Sequence, residues 1–311
     1  MDISVVIPVY NESENISPLS SELKSVLSGL NKDYEMIFIN DGSSDGTLQV
    51  LKNIHSENPK VKIIDLNKNF GQTAAISAGF NFAKGKIVIT MDGDLQNDPH
   101  DIPRLIEEID KGFGIVCGYR ENRKDPVLKI IFSKIGNWLI SLFLGLKIRD
   151  YGCALKAFRK EVIKDLNLYG EMHRFIPAAA SWSGAKIEEI NVKHRPRKRG
   201  KSKYGSSRVV KVFLDLLVMV FLSEYRTKPI RFFGVLALIN LLLGACSFIA
   251  LVYMKIFNGT DMTGNPFIIL TVLFLLVSLQ LISIGLISEI NIRTYYESQN
   301  KKIYHVREII E

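Results

Sequence analysis

Lys86-Ile87-Val88-Ile89-Thr90-Met91-Asp92-Gly93-Asp94-Leu95-Gln96 is an apolar run that switches abruptly into an acidic turn. A continuous apolar run of this length suits a strand covered on both faces, and the Asp-Gly-Asp switch marks its carboxyl end. Working outward, β-rich runs recur at residues 3–9, 34–40, 61–66 and 114–118, beside the 86–91 run itself. Between them, apolar residues at helical spacing cover 16–30, 47–54, 73–83 and 102–109. The alternation predicts an α/β domain with a mostly parallel sheet and helices on both faces. In such sheets ligands bind beyond the carboxyl ends of the strands. The unusual polar residues fall there: Tyr10-Asn11-Glu12 after the first run, Asp41-Gly42-Ser43 after the second, and Asp92-Gly93-Asp94 after the fourth.

The chain has 311 residues, long enough for one large domain or two smaller ones, and its 22 Gly and 10 Pro argue against collagen-like or disordered classes. A formal net charge of +8 predicts an anionic partner: nucleic acid, a phosphorylated ligand or a membrane surface. Cys117, Cys153 and Cys246 lie far apart in the chain, and His55, His100, His194 and His305 have no metal-ligand spacing. A disulfide framework and a zinc site are therefore not expected.

Apolar residues concentrate near the end of the chain. Phe232–Phe257 has one charge, Lys255, and Pro266–Ser288 has none. At ~1.5 Å per residue each can cross a hydrocarbon core of about 30 Å. The polar linker 258–265 has no Lys or Arg, whereas Arg226, Lys228 and Arg231 precede the first span and Arg293, Lys301, Lys302 and Arg307 follow the second. The positive-inside rule then places both termini in the cytoplasm and the linker outside. Asn258-Gly259-Thr260 matches a glycosylation sequon but reads as a turn. The opening MDISVVIPVY lacks the basic leader and long apolar run of a signal peptide. Residues 209–222 and 127–146 are apolar with sparse Lys, which suits helices lying in the bilayer interface. The rival reading of 127–146 is a core helix.

Asp92, Asp94 and the Gln96 amide at alternating positions offer hard oxygen ligands suited to Mg²⁺ or Mn²⁺, ions that complete their shells with substrate phosphates. Asn40–Gly46 reads as a turn with a helix cap in Ser44 or Asp45. Asp41 is set where a carboxylate could accept hydrogen bonds from a nucleobase or ribose.

Together Pro8-Val9-Tyr10-Asn11-Glu12, Asn40-Asp41-Gly42-Ser43-Ser44-Asp45-Gly46-Thr47, Asn67-Lys68-Asn69-Phe70-Gly71-Gln72 and Met91-Asp92-Gly93-Asp94-Leu95-Gln96 resemble glycosyltransferase family 2, with its GT-A fold. Asp150-Tyr151-Gly152-Cys153, Gly170-Glu171-Met172-His173-Arg174-Phe175-Ile176-Pro177 and Gly200-Lys201-Ser202-Lys203-Tyr204-Gly205 narrow the resemblance to the polyprenyl-phosphate glycosyltransferases. That branch includes dolichyl-phosphate mannose synthases and bactoprenol glucosyltransferases with two C-terminal spans.

The resemblance implies that Pro8, Tyr10, Glu12 and Asp41 hold the base and ribose of a nucleotide. It places Asp92 by the donor phosphates, Asp94 and Gln96 on the metal, and Asp150 as the catalytic aspartate. It also implies phosphate contacts from Arg120, from Arg174, and from the basic loop with Arg197, Arg199 and Lys203. Loop 195–199 carries four cations, so the position of its phosphate-binding residue is left open; His173 is left unassigned.

The organisation expected is a cytoplasmic GT-A catalytic domain over 1–205, a juxtamembrane helix and linker over 206–231, a transmembrane hairpin over 232–290 and a cytoplasmic tail over 291–311. The activity expected is inverting, metal-dependent transfer of one sugar from a nucleotide diphosphate sugar to a polyprenyl phosphate of undecaprenyl type, at the inner face of the cytoplasmic membrane. A UDP-sugar is favoured over GDP by resemblance. Glucose comes first among the sugars, ahead of N-acetylglucosamine, mannose and an aminoarabinose derivative. The lipid bilayer is a partner, nucleic acid is not, and self-association is left open. A processive polysaccharide synthase is disfavoured by the two spans and the lack of a QxxRW-type motif. A dinucleotide oxidoreductase is disfavoured by the lack of GxGxxG in the first turn. A membrane-anchored binding scaffold remains the non-enzymatic alternative.

Overall fold

The computed structural model describes residues 1–120, 148–164, 166, 168, 172–181, 184–196, 229–298 and 306–310. The two expected interface helices, 127–146 and 209–222, and the loop cations Arg197, Arg199 and Lys203 lie outside these residues. The chain divides into two compact units, Met1–Leu217 with Lys302–Glu311, and Val218–Lys301.

The first unit runs β1 (Ile3–Val9), α1 (Ser13–Ser28), β2 (Tyr34–Asn40), α2 (Thr47–Glu57), β3 (Val61–Leu66), α3 (Gln72–Phe82) and β4 (Ile87–Thr90). After a 3₁₀ turn at Pro99–Asp101 come α4 (Ile102–Asp110), β5 (Ile115–Tyr119), β6 (Lys156–Arg159) and α5 (Lys160–Lys164). A second 3₁₀ turn at Met172–Arg174, α6 (Ile176–Ser181), β7 (Ile187–Asn191) and β8 (Val306–Ile310) complete it. The strands form one eight-stranded sheet in the order β7-β5-β6-β4-β1-β2-β3-β8. Strands β4, β1, β2 and β3 run parallel, as do β5 and β7, while β6 and β8 are antiparallel to their neighbours.

The expected parallel core is therefore present, but the sheet is mixed. β1, β2 and β3 begin and end where the apolar runs do, because all are buried along their length. β6, β7 and β8 were not expected. β7 is half-buried throughout, with two consecutive glutamates, and β8 reads Val-Arg-Glu-Ile-Ile, so neither carries the continuous apolar signature.

The central strands pack on α1, α3 and α4. α3 is mostly buried, and its Ala74, Ala75, Ala78 and Gly79 let it lie close against the sheet. A Cβ at Gly79 would fall inside the van der Waals envelope of Val6 and 3.0 Å from Ile39 Cδ1.

The second unit is a helical hairpin, α7 (Pro229–Phe257) and α8 (Pro266–Ser298), joined by a polar turn in which Gly259 adopts φ +57°. Its apolar stretches, Phe232–Phe257 and Pro266–Ser288, are those expected from the sequence, and only 17% and 11% of their most apolar windows are buried. A core helix of a water-soluble domain would be mostly covered. Ser247 Oγ donates across the hairpin to the Phe267 carbonyl (3.1 Å), and Ser278 Oγ to that of Ala237 (2.9 Å). Both bonds tie the two helices of the hairpin together.

Gly79→Ala sets two effects against each other: alanine gains about 1 kcal/mol of helix propensity, while overpacking a closed core costs about 1–3 kcal/mol. Because the clash is with rigid, fully buried neighbours, a net loss of stability is expected, read as a lowered thermal midpoint of the purified chain.

Candidate active site

Parallel pairing brings the carboxyl ends of β1, β2 and β4 to one edge of the sheet, with Val9 opposite Asn40 and Val6 opposite Thr90. The turn after β1 is locked to the turn after β2. Asn11 takes a left-handed conformation (φ +52°) that asparagine tolerates better than most residues. Its N–H donates to Ser43 Oγ (2.9 Å), and its side-chain oxygen accepts Ser44 N–H (2.8 Å). Glu12 N–H donates to Thr47 Oγ1, and the Glu12 carboxylate accepts from Asn15 Nδ2 (2.6 Å). Asp45 accepts both the Thr47 N–H and its hydroxyl at the first residue of α2, while the N-cap position itself is Gly46 rather than Ser44 or Asp45.

Asp41 is almost wholly buried, and its two oxygens accept the N–H groups of Phe70 (2.7 Å) and Gly71 (3.0 Å). Gly42 makes this closure sterically feasible: it sits at φ +65°, and a Cβ there would overlap the backbone of Lys68 and Asn69. Burial raises the Asp41 pKa above the ordinary carboxylate range, only partly offset by the two N–H donors.

One residue further on, Gln72 Nε2 donates to Asp92 Oδ1 (2.8 Å). Asp94, also buried, accepts the Gln96 N–H (3.1 Å), and Leu95 between them is held at φ +62°. A left-handed non-glycine residue is strained, and such strain collects where a turn must aim its side chains.

Asp150 reaches the same edge by another route. β6 runs antiparallel to β4, with Thr90 opposite Lys156, so the segment leading into β6 lies beside the carboxyl end of β4. Thr90 Oγ1 fixes that segment by donating to the Ala154 carbonyl (2.8 Å). Asp150 makes a bidentate pair with Arg120 at the end of β5, Nε to Oδ2 at 2.7 Å and Nη2 to Oδ1 at 3.0 Å. The Glu189 carboxylate accepts the N–H groups of Arg149 (2.9 Å) and Asp150 (3.3 Å), and burial raises its pKa despite these donors. The buried Lys156 ammonium donates to the carbonyls of Tyr151 and Cys153.

Of the residues singled out in the sequence, Pro8, Tyr10, Glu12, Asp41, Asp92, Asp94, Gln96 and Asp150 therefore all belong to turns or strand ends at this edge. Arg120 is there too, engaged with Asp150. Arg174 is half-buried in the 3₁₀ turn whose His173 Nδ1 lies 2.9 Å from Thr73 Oγ1. Gln72, Lys156 and Glu189 were not singled out. Only Gln72 carried a sequence signal, as part of the Asn67–Gln72 stretch.

Among the described residues, Glu22, Asp98 and His100 are the one group of acidic and imidazole side chains close enough to share an ion. That place already holds a cation. Arg195 pairs with Glu22 (2.6 Å) and Asp98 (2.8 Å), and its N–H donates to the Gln96 carbonyl. Arg195 thereby anchors the start of the basic loop to the segment following Asp94.

Residues 4–166 match the model of "Glycosyl transferase family 2". The chain is 40% identical over 319 residues to dodecaprenyl-phosphate galacturonate synthase of Rhizobium johnstonii, covering 100% of this chain and 94% of that protein. It is 34% identical over 311 residues to undecaprenyl-phosphate 4-deoxy-4-formamido-L-arabinose transferase of Edwardsiella ictaluri, covering 99% and 94%. Among solved structures, glucosyl-3-phosphoglycerate synthase from Mycobacterium tuberculosis, in complex with Mn²⁺ and UDP-glucose, is similar with a TM-score of 0.55. The match covers 71% of this chain and 78% of that one at 17% identity, a likeness of GT-A fold alone.

Arg195→Gln removes the cation between Glu22 and Asp98. The expected cost is about 1–2 kcal/mol, less than for a fully buried pair because the guanidinium is 30% exposed. Burial pushes the Asp98 pKa up, but hydrogen bonds from His100 and Arg195 outweigh it and hold it below 3.8. A depressed carboxylate pKa contributes stability above its unfolded value and loses it as pH falls through the folded one. The difference in thermal midpoint between variant and parent is thus expected to be full at neutral pH and to shrink below pH 3.8.

Proposed function

The chain belongs to glycosyl transferase family 2, and from that premise we propose that it transfers a single sugar from a nucleotide diphosphate sugar to a polyprenyl phosphate at a membrane surface. The observation that carries this reading is the gathering of Asp41, Asp92, Asp94 and the Arg120–Asp150 pair along one sheet edge, in a chain whose relatives are named for that transfer. The two apolar helices supply the membrane anchor. β8, which follows both of them in the chain, pairs with β3 of the first unit, an arrangement compatible with two crossings. The cations that flank the two spans assign both ends of the hairpin to the cytoplasmic side of the membrane.

The sequence favoured glucose. The relatives carry galacturonate and 4-deoxy-4-formamido-L-arabinose in their names, so the donor proposed here is a nucleotide-linked uronic acid or formamido-pentose, with UDP as the nucleotide.

Pro8, Tyr10, Glu12 and Asp41 form the base and ribose side of the donor pocket. Asp41, held by the Phe70 and Gly71 N–H groups, keeps lone pairs directed as acceptors for the base. Asp94 and Gln96 would hold a divalent cation beside Asp92, and this all-oxygen set suits Mg²⁺ or Mn²⁺. When bound, the ion offsets the negative charge that builds on the departing nucleotide diphosphate.

The acceptor phosphate, with a second pKa near ~6, arrives already ionised and has little need of a general base. Asp150 suits a different task. Paired through both oxygens with Arg120, it fixes the guanidinium plane, so that the cation rather than the carboxylate meets phosphate. Arg174 and the loop cations Arg197, Arg199 and Lys203 complete the anion-binding side. Attack from the face opposite the leaving group inverts the anomeric centre.

The test is incubation of the full chain in membranes with polyprenyl phosphate and labelled UDP-galacturonic acid, UDP-4-deoxy-4-formamido-L-arabinose or UDP-glucose, with Mg²⁺ or with chelator. A labelled lipid from one of the first two, lost on chelation, is expected. Absence of lipid product from every donor would contradict the transferase reading, and product insensitive to chelator would remove the metal. Asp150→Asn, which loosens the Arg120 pair, is expected to lower turnover by at least about tenfold, since a misplaced catalytic group costs up to ~100-fold.

A further inference from the structure

The site is not built from the amino-terminal part of the chain alone. β8 lies beyond both apolar helices in sequence, yet it forms the sheet edge next to β3. Its pairing is irregular: Asp65 faces Glu308 and Leu66 faces Val306, so Arg307 is the extra residue of a bulge. Bulges re-aim side chains. Here Arg307 reaches back over β3, with Nη1 3.3 Å from Asp65 Oδ2 and Nη2 donating to the Asn67 carbonyl at 2.6 Å.

Both contacts lead to Asp41. Asp65 is a carboxylate with a side chain only 1% exposed, and its other oxygen accepts Asn40 Nδ2 at 2.7 Å. Asn40, itself buried, accepts the Ser43 N–H, and Ser43 Oγ accepts the Asn11 N–H. The second route is shorter. Asn67 opens the loop whose Phe70 and Gly71 N–H groups grip the Asp41 carboxylate and whose Lys68–Asn69 backbone packs on Gly42. One guanidinium from the far end of the chain therefore braces the floor and the wall of the turn that carries Asp41.

We propose that Arg307 is a positioning residue for donor binding, acting through Asp65–Asn40 and through the Asn67–Gly71 loop. The proposal rests on the donor-site reading of Asp41. A buried carboxylate stripped of its cation is costly, and the relief open to Asp65 is to shift or to recruit water, either of which disturbs Asn40 and the turn above it. The neighbouring surface pair on the same strand, Lys52 with Glu308 (3.0 Å), has no such connection, which makes Glu308→Gln the internal control.

The experiment uses the full chain in detergent and measures UDP affinity calorimetrically, the KM for polyprenyl phosphate, and the thermal midpoint. Arg307→Gln is expected to weaken UDP binding about 5-fold or more, within the range by which coupled positions modulate affinity, with the acceptor KM unchanged. Arg307→Lys is expected to recover part of the loss, and Glu308→Gln to bind UDP as the parent does. Asp65→Asn combined with Arg307→Gln is expected to cost less than the sum of the two single effects, because the two residues share the Asp65–Asn40 connection while the Asn67 contact belongs to Arg307 alone.

If Arg307→Gln lowers the thermal midpoint but leaves UDP affinity intact, β8 is an edge clamp only and the proposal is overturned. Asp41→Asn run beside it separates the two levels. Should Asp41→Asn also bind UDP like the parent, the donor-site reading itself fails, whereas loss in Asp41→Asn alone would sink only the role of Arg307.

Discussion

The parallel register of β4, β1 and β2 is the constraint on which the site depends, because it forces successive acidic turns onto one edge of a single sheet. Carboxylates gathered at a sheet edge repel one another and lose water, and each must be met by something. The chain meets them differently. Asp41 receives backbone N–H groups, Asp150 a bidentate arginine, Asp98 the Arg195 guanidinium and Asp65 that of Arg307. Asp92 accepts from the Gln72 side-chain amide and Asp94 from the Gln96 backbone N–H.

This division also distinguishes two acidic clusters that look alike by composition. Glu22, Asp98 and His100 are near enough to share an ion, yet an arginine joins two of them and ties the basic loop to the turn after Asp94. Proximity of carboxylates alone is thus a poor guide. Glu22 and Asp98 are compensated by a cation of the chain itself, whereas the function proposed for the Asp92–Asp94 turn has a divalent ion meeting the substrate there.

Much of this was legible in the sequence. β1, β2 and β3 announce themselves because strands covered on both faces are apolar at most positions, and the switch from Met91 to Asp92 marks a strand end by chemistry alone. The apolar helical hairpin was legible for a related reason, since both long runs carry almost no charged side chains. The mixed character of the sheet was not. β6 contains Lys156, whose ammonium turns inward to carbonyls of its own turn, and β7 and β8 are edge strands half open to water, so their patterns resemble loops. The partners of Asp150 and Asp65 were hidden as well, because Arg120 with Asp150 and Arg307 with Asp65 are brought together by sheet order and a bulge rather than by spacing. Arg307 in particular read as one more cation flanking a span. Only the return of β8 to the sheet gives it a place near the turn that carries Asp41.

Where a divalent ion and a nucleotide diphosphate bind decides the function proposed for this edge. The most direct measurement is an anomalous difference map of the full chain bound to UDP and Mn²⁺. A manganese peak coordinated by Asp94 and the diphosphate, with the uracil against Asp41, is the result expected. A peak between Glu22, Asp98 and His100, or a nucleotide bound away from Asp41, would contradict it.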